Sequence, residues 1–191
     1  SGIDNISGRL DTVKYILSGG ESLKISLAKK MRRNFRNAVM YNVGGPSEAT
    51  IWSVWHRITD DDLENNLIPY GKPLKNMRYY ILSDMMTLCP PGTEGTIYNA
   101  GIGLAKRYLG LDDVTRKSFV YFDGIRVYNT GDRGMYLPDG SVKFLGRRDK
   151  QVKINGKRIE LEGIAQVISE FEGVASCEVI LSGSTNELAA F

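Results

Sequence analysis

The chain has 191 residues, of which 42% are apolar, 25% are charged and 21 are glycine. That composition excludes the collagen-like, disordered and coiled-coil classes, and the length suits one domain or one domain plus a piece of a second. Twenty-five Lys and Arg against 22 Asp and Glu leave a formal charge of +3, too small and too dispersed for a nucleic-acid footprint.

Residues 13–17 are a β-branched and aromatic run ending at Ser18-Gly19-Gly20, and Leu23, Leu27, Met31 and Phe35 follow at helical spacing. The pattern predicts strand, turn and helix, with the Ser22 hydroxyl as N-cap. Residues 38–41 predict a second buried strand that runs into Asn42-Val43-Gly44-Gly45-Pro46. Strand, helix and strand in this order predict a parallel βαβ unit, whose ligands bind beyond the strands' carboxyl ends, where both glycine-rich turns lie. His56 is read as a strand residue with no catalytic duty.

From residue 68 the pattern changes to short strands punctuated by turns: 78–82, Pro90-Pro91-Gly92, 95–99, 125–129, and 134–145 around Asp139-Gly140. This predicts an antiparallel sheet or small barrel, with Asp-Gly as a hairpin turn because glycine tolerates positive φ. After 147–157 comes a helix with Leu161, Ile164, Ala165, Ile168 and Phe171 on one face, then a strand over 174–181. The expected fold class is α/β: a βαβ segment of a larger sheet, a small antiparallel sheet or barrel, then the start of an α+β small lobe. The boundary is expected at 148–150, dividing the chain into 1–148 and 149–191. It begins Ser1-Gly2 and stops at Phe191 in an extended apolar segment, so it reads as a piece of something longer.

No apolar run approaches the roughly 18 residues of a membrane span, and the first thirty residues lack the layout of a signal peptide. A cytoplasmic protein with neither membrane nor nucleic acid as partner is expected. Cys89 and Cys177 form no C-x-x-C pair, and with His56 as the lone histidine they cannot complete a four-ligand zinc site.

Gly101-Ile102-Gly103 has Lys106 where a dinucleotide loop needs its third glycine, so it is read as a close turn against a neighbouring sheet. Ser18 to Ser22 lacks the Gly-Lys-Ser/Thr ending of a P-loop, and no Gly-x-Ser-x-Gly elbow accompanies His56. Gly44-Gly45-Pro46-Ser47-Glu48 sets a hydroxyl and a carboxylate directly after backbone that only glycines make approachable. Such a loop can bring N–H groups and Ser47 to a phosphate while Glu48 holds Mg²⁺. The plainer alternative, favoured by these five residues alone, is a loop with Ser47 as N-cap. Asp132 in Thr130-Gly131-Asp132 closes a strand, either as a turn residue or as the acceptor of two hydrogen bonds from a ribose diol. Residues 146–160 combine an alternating strand with charges that are individually ordinary solvated groups.

Taken in order and together, Leu17-Ser18-Gly19-Gly20-Glu21, residues 42–48, Gly95-Thr96-Ile97-Tyr98 with 101–109, 128–132, and 146–160 resemble successive core motifs of the adenylate-forming enzymes. The resemblance is closest to the amino-acid adenylation domains of nonribosomal peptide synthetases and spans nearly the whole chain. It implies activation of a carboxylic acid with ATP and Mg²⁺ as an acyl-adenylate, then transfer to a carrier-protein phosphopantetheine thiol. The implied partners are an amino acid or related acid, the carrier protein, and the remainder of the adenylation domain or megasynthase.

By resemblance, Ser47 lies beside the α-phosphate, Arg147 contacts ribose or phosphate, Asp149 falls on a hinge, and Lys153 lies on the lobe face presented in the second step. Glu48 binds Mg²⁺. Gly20, Glu21, Asn42, Gly44, Gly45, Asp132 and Phe144 fall on the nucleotide side, with Asp132 on the ribose hydroxyls and Phe144 near adenine. Leu17, Gly19, Val43, Ile51 and Trp52 line the side-chain pocket, whose apolar walls imply a neutral substrate; otherwise Ile51 and Trp52 are ordinary strand-core residues. Gly44 stands where the family commonly has a Tyr stacked on adenine, which removes a contact worth about 1 kcal/mol. The family's phosphate loop and its late catalytic Lys have no counterpart in the chain, so the 191 residues alone are expected not to turn over. The alternatives are a non-catalytic scaffold module within a megasynthase and part of an acyl-CoA or aryl-acid ligase.

Overall fold

The first glycine-punctuated segment folds as a parallel unit. Tyr15–Ser18 (β1) pairs in parallel with Val39–Gly44 (β2), Tyr15 opposite Val39 and Ser18 opposite Asn42, and Ile25–Asn34 (α1) makes the crossover. The computed structural model describes residues 10–148, 151–154, 157–182 and 187–191. Ala28 and Met31 of α1 are buried against Met40, Ile58 and Leu63, with Leu23 and Phe35 at the margin. Leu27 is instead 40% exposed. Ser22 is not the cap: the helix starts later, Lys24 occupies the N-cap position, and no side chain closes it. Burial of the apolar face therefore holds α1.

Val54–Arg57 (β3) lies antiparallel to β2, and Lys72–Pro73 (β4) antiparallel to β3, giving the order β1-β2-β3-β4. Between them Asp60–Glu64 (α2), which sequence reading missed, is closed by a capping box in which Thr59 and Asp62 bond each other's backbone N–H. His56 is in β3, as expected, and its Nε2 lies 2.9 Å from Asp62 Oδ2. Burial raises the Asp62 pKa, but bonds from Thr59 N–H and His56 outweigh it, and the carboxyl ends below its ordinary value. A depressed carboxyl pKa stabilises the fold above the unfolded value and is lost as pH falls through the folded one. Asp62→Ala should therefore cost about 1–2 kcal/mol in urea unfolding at pH 7, with the difference from wild type shrinking below pH 4. An equal difference at pH 7 and pH 3 would contradict this role.

The second sheet comprises Met77–Leu82 (β5), Gly95–Gly101 (β6), Phe119–Phe122 (β7), Ile125–Tyr136 (β8) and Val142–Arg147 (β9), in the order β5-β6-β8-β7 with β9 also on β8. Asp112–Ser118 (α3) precedes β7 and buries no residue. Both faces of the sheet are covered. Tyr79, Ile81 and Ile97 pack with Val54, Cys89 and Val142 on one side, while Leu82, Tyr98, Ala100 and Val127 pack on the other, following the two-residue alternation of a strand. Asp139-Gly140 makes the expected hairpin turn, with Gly140 at φ +80° and its N–H bonded to Leu137 O at 2.9 Å. At Gly101 a Cβ would meet Met77 Cα at 2.9 Å, the close approach expected there.

One expectation fails in this sheet. Segments 125–129 and 134–136 are a single strand, and Thr130-Gly131-Asp132 lies inside it. The register with β6 shifts between Thr96 and Tyr98, and Gly131 takes φ +72°. A bulge of this kind absorbs turn-type residues without ending the strand.

The chain divides into two compact units, Ser1–Gly146 and Arg147–Phe191. In the second unit, Gln151–Ile154 (β10) and Lys157–Glu160 (β11) form a hairpin, Leu161–Ser169 (α4) packs on it, and Val179–Leu181 (β12) pairs with Leu188–Ala190 (β13). The strand expected over 174–181 is confined to its last three residues. Phe171, expected on the helix's apolar face, lies past its end and is 67% exposed. Among the described residues no helix is long and apolar enough to cross a membrane.

Candidate functional site

The end of β2 passes into Gly44-Gly45-Pro46 and then a single 3-10 turn, Ser47–Ala49. Neither glycine has room for a side chain. A Cβ on Gly44 would strike the Tyr70 ring, 2.9 Å from its Cζ, and one on Gly45, at φ +141°, would stand 2.8 Å from Ser53 N. Ser47 is not an N-cap: Pro46 holds that position and no side chain bonds there, so Ser47 is exposed while Glu48 is 8% exposed.

Glu48 is held by residues that sequence reading missed. The Tyr108 hydroxyl donates to its Oε1 at 2.5 Å and lies 3.4 Å from the Tyr128 hydroxyl. The Ala105 N–H donates to Glu48 O at 2.8 Å, and the Thr50 hydroxyl to Gly103 O at 2.7 Å. Arg126 fixes this segment from behind, donating to Ala105 O and Lys106 O with its guanidinium over the Phe119 ring. Tyr108 lies within the motif segment 101–109, but nothing local announces that its hydroxyl reaches a carboxylate 60 residues away.

A second group surrounds Tyr70. Its ring packs on Phe144 and on Tyr79, with centroids 5.8 and 6.1 Å away. Its hydroxyl is close enough to the Gly45 amide and the Asp132 carboxylate for both to act on its ionisation. The Tyr79 hydroxyl lies 2.8 Å from Ser53 Oγ, to which Asn99 Nδ2 donates. Asp132 is half-buried, and its N–H bonds the Thr130 hydroxyl at 3.0 Å. Asn42 does not point its amide to open solvent: buried, it donates to Pro69 O at 2.9 Å and so braces the residue before Tyr70. Gly44, Gly45, Asp132 and Phe144 are thus brought together.

At the carboxyl ends of β1 and β2, Gly19 abuts Val43, since a Cβ on Gly19 would lie 2.6 Å from Val43 O. Gly20 and Glu21 are exposed beyond it. Ile51 and Trp52 belong to neither strand nor core: they are 68% and 48% exposed, and Leu17 is 51% exposed. Thr50 and Ile51 take φ values of 62° and 60°, a conformation costly for a β-branched residue and concentrated at functional loops. Arg147 is half-buried at the end of β9. Lys153 lies in β10 opposite Arg158; Asp149, Asn155 and Gly156 lie outside the described residues.

Burial pushes the Tyr79 phenol up to about 12 and raises those of Tyr70, Tyr108 and Tyr136. A raised phenol pKa contributes fully below the unfolded value of about 10 and is lost as pH rises through the folded one. Urea stability should therefore hold to about pH 9.5 and then fall by on the order of 3 kcal/mol by pH 12 from Tyr79 alone. Unchanged stability across that interval would contradict the burial of these hydroxyls.

A family model described as AMP-binding enzyme matches residues 4–109. Bacitracin synthase 1 of Bacillus licheniformis is 36% identical over 169 residues, which is 88% of this chain and 3% of that protein. The solved structure of PA1221, an NRPS protein containing adenylation and PCP domains, superposes with TM-score 0.84 at 31% identity, covering 93% of this chain and 37% of that one. The Vibrio cholerae adenylation domain AlmE, solved with glycyl-adenosine-5'-phosphate, superposes with TM-score 0.83 at 25% identity over 95% of this chain and 36% of that one. The chain belongs to the AMP-binding enzyme family and, within it, shares sequence and fold with the adenylation domains of nonribosomal peptide synthetases. It spans little more than a third of the solved structures named and a small fraction of the synthetase.

Proposed function

We propose that the chain forms part of an ATP-dependent site that activates an amino acid with a neutral side chain as its adenylate, for transfer to a carrier-protein thiol. The observation that carries this is the convergence of Gly44, Gly45, Asp132 and Phe144 around Tyr70. The resemblance to the adenylation domains implies the nucleotide side for all four. A carboxylate beside backbone that approaches closely suits a ribose diol, whose two hydroxyls it accepts.

Mg²⁺ fits Glu48. This ion keeps several waters and is commonly held by one or two carboxylates together with substrate phosphates. Among the described residues no three His, Cys, Asp or Glu gather into a protein-only metal cage, and the Glu48 carboxylate is fixed by Tyr108. In this reading a substrate carboxylate oxygen attacks the α-phosphorus of ATP, the α–β anhydride bond breaks and pyrophosphate leaves; Glu48 would hold the metal, Ser47 would offer a hydroxyl to the α-phosphate, and Leu17, Gly19, Val43, Ile51 and Trp52 would bound the substrate side chain. The apolar wall penalises charged side chains by their desolvation.

In the native protein, Asp132→Ala should raise the ATP KM by roughly 10- to 100-fold, the loss of a charge-assisted acceptor, while leaving thermal stability nearly untouched. Wild-type ATP dependence in pyrophosphate exchange would refute the ribose contact. Across a panel of amino acids, exchange should favour neutral side chains; a preference for Asp, Glu, Lys or Arg would refute the pocket assignment.

A further inference from the structure

Gly44 lacks the aromatic that would be expected to stack on the base, yet an aromatic ring fills the space its side chain would take. A Cβ built on Gly44 runs directly into Tyr70, whose Cζ and hydroxyl oxygen are both 2.9 Å from it. A side chain grown from position 44 and the Tyr70 ring thus compete for one volume. The ring is half-buried, and its hydroxyl end lies near the Gly45 amide and the Asp132 carboxylate.

Three restraints hold the ring there. Asn42 Nδ2 bonds Pro69 O on one side. On the other, Gly71 and Val142 exchange two backbone bonds of 3.2 and 2.8 Å, tying the residue after Tyr70 to β9, the strand that carries Phe144. Beneath it, Tyr79 and Val54 belong to the closely packed core on which Tyr70 rests. A ring immobilised in advance has no rotamer entropy to lose when a planar ligand stacks on it, so its contact is gained at little ordering cost.

We propose that Tyr70 is the aromatic wall of the nucleotide-base subsite, presented by the segment before β4 into the space left by Gly44. The inference rests on the nucleotide reading of Asp132 and goes beyond it by naming the residue that meets the base. Tyr70 is a positioning residue for the base, and its ring, not its hydroxyl, does this.

The test is pyrophosphate exchange by the native protein with Tyr70→Leu, Tyr70→Phe, Gly44→Tyr and the double variant Gly44→Tyr/Tyr70→Leu. Tyr70→Leu should raise the ATP KM about 5- to 10-fold, the equivalent of one stacking contact, reduce the preference for ATP over CTP, and leave kcat within about twofold. Tyr70→Phe should keep the wild-type KM and base preference. Gly44→Tyr alone should lose stability, because two rings cannot share the space. The double variant should regain both fold and ATP preference, its ring now rising from position 44. A merely structural role would lower the melting temperature of Tyr70→Leu while leaving the ATP/CTP ratio unchanged, and that result overturns the proposal. If Asp132→Ala raises the ATP KM while Tyr70→Leu does not, the base wall is refuted and the ribose contact stands; if neither variant changes KM, the nucleotide site itself is wrongly placed.

Discussion

Glu48→Gln should lower kcat for amino-acid-dependent pyrophosphate exchange by about 10² to 10³ and raise the Mg²⁺ concentration needed for half-maximal rate. The substitution is nearly isosteric, and the amide oxygen can still accept from Tyr108, whose hydroxyl stands 2.5 Å from Glu48 Oε1. What is lost is the negative charge, which a metal ion needs and a hydrogen bond does not. Exchange within twofold of wild type at limiting Mg²⁺ would remove Glu48 from the metal site.

Gly45→Ala should cost about 2–5 kcal/mol in urea unfolding, combining left-handed backbone strain with overpacking. The neighbours it would strike are backbone as well as side chain: Ser53 N at 2.8 Å and Ile51 O at 3.0 Å from the new Cβ. Relief of that clash shifts either the 44–48 loop or the Ile51 to Ser53 segment, both of which adjoin Glu48 in sequence, so the same variant should lose exchange activity even where it remains folded. Gly20→Ala makes a control, since its φ of +96° is also left-handed but no atom lies within 4 Å of an added Cβ. It should cost only the strain, about 1 kcal/mol. Equal losses at the two positions would show that the contact with Ser53 is immaterial.

The parts of the fold legible in sequence were those set by neighbours in the chain. The βαβ unit announced itself through a β-branched run, a glycine turn and helical spacing, and the hairpin through Asp139-Gly140. What was missed was set elsewhere. α3 buries no residue and so carries no apolar period to read. α2 is only five residues long, and its capping box was present in sequence as Thr59-x-x-Asp62 but preceded no long apolar face. The single strand β8 looked like two because Thr130-Gly131-Asp132 has turn composition, and only pairing with β6 reveals a bulge.

The site divides in the same way. The loop 44–48 and Asp132 stand out locally by their glycines and polar groups, and their assignment to the nucleotide comes from the resemblance alone. Tyr70 and Tyr108 do not stand out, because each acts through a partner distant in sequence: Tyr108 on Glu48, Tyr70 on Gly44. Asn42 falls on the nucleotide side by its motif, while its amide donates to Pro69 O, on the residue before Tyr70. The exposure of Ile51 and Trp52, and the left-handed backbone of Thr50 and Ile51, rule out a strand core at these positions, which their apolar character alone could not do.

On the function proposed above, Asp132, Gly44-Gly45 and Tyr70 converge on one adenine nucleotide. Ligand-observed NMR with the native protein and AMP tests it most directly, because saturation passes from protein to ligand only at protons in contact. Transfer is expected to both the adenine H2 and H8 protons and the ribose protons, with the base signal reduced in Tyr70→Leu and the whole response lost in Asp132→Ala. Equal transfer from wild type and Asp132→Ala, or none from wild type at millimolar AMP, would contradict it.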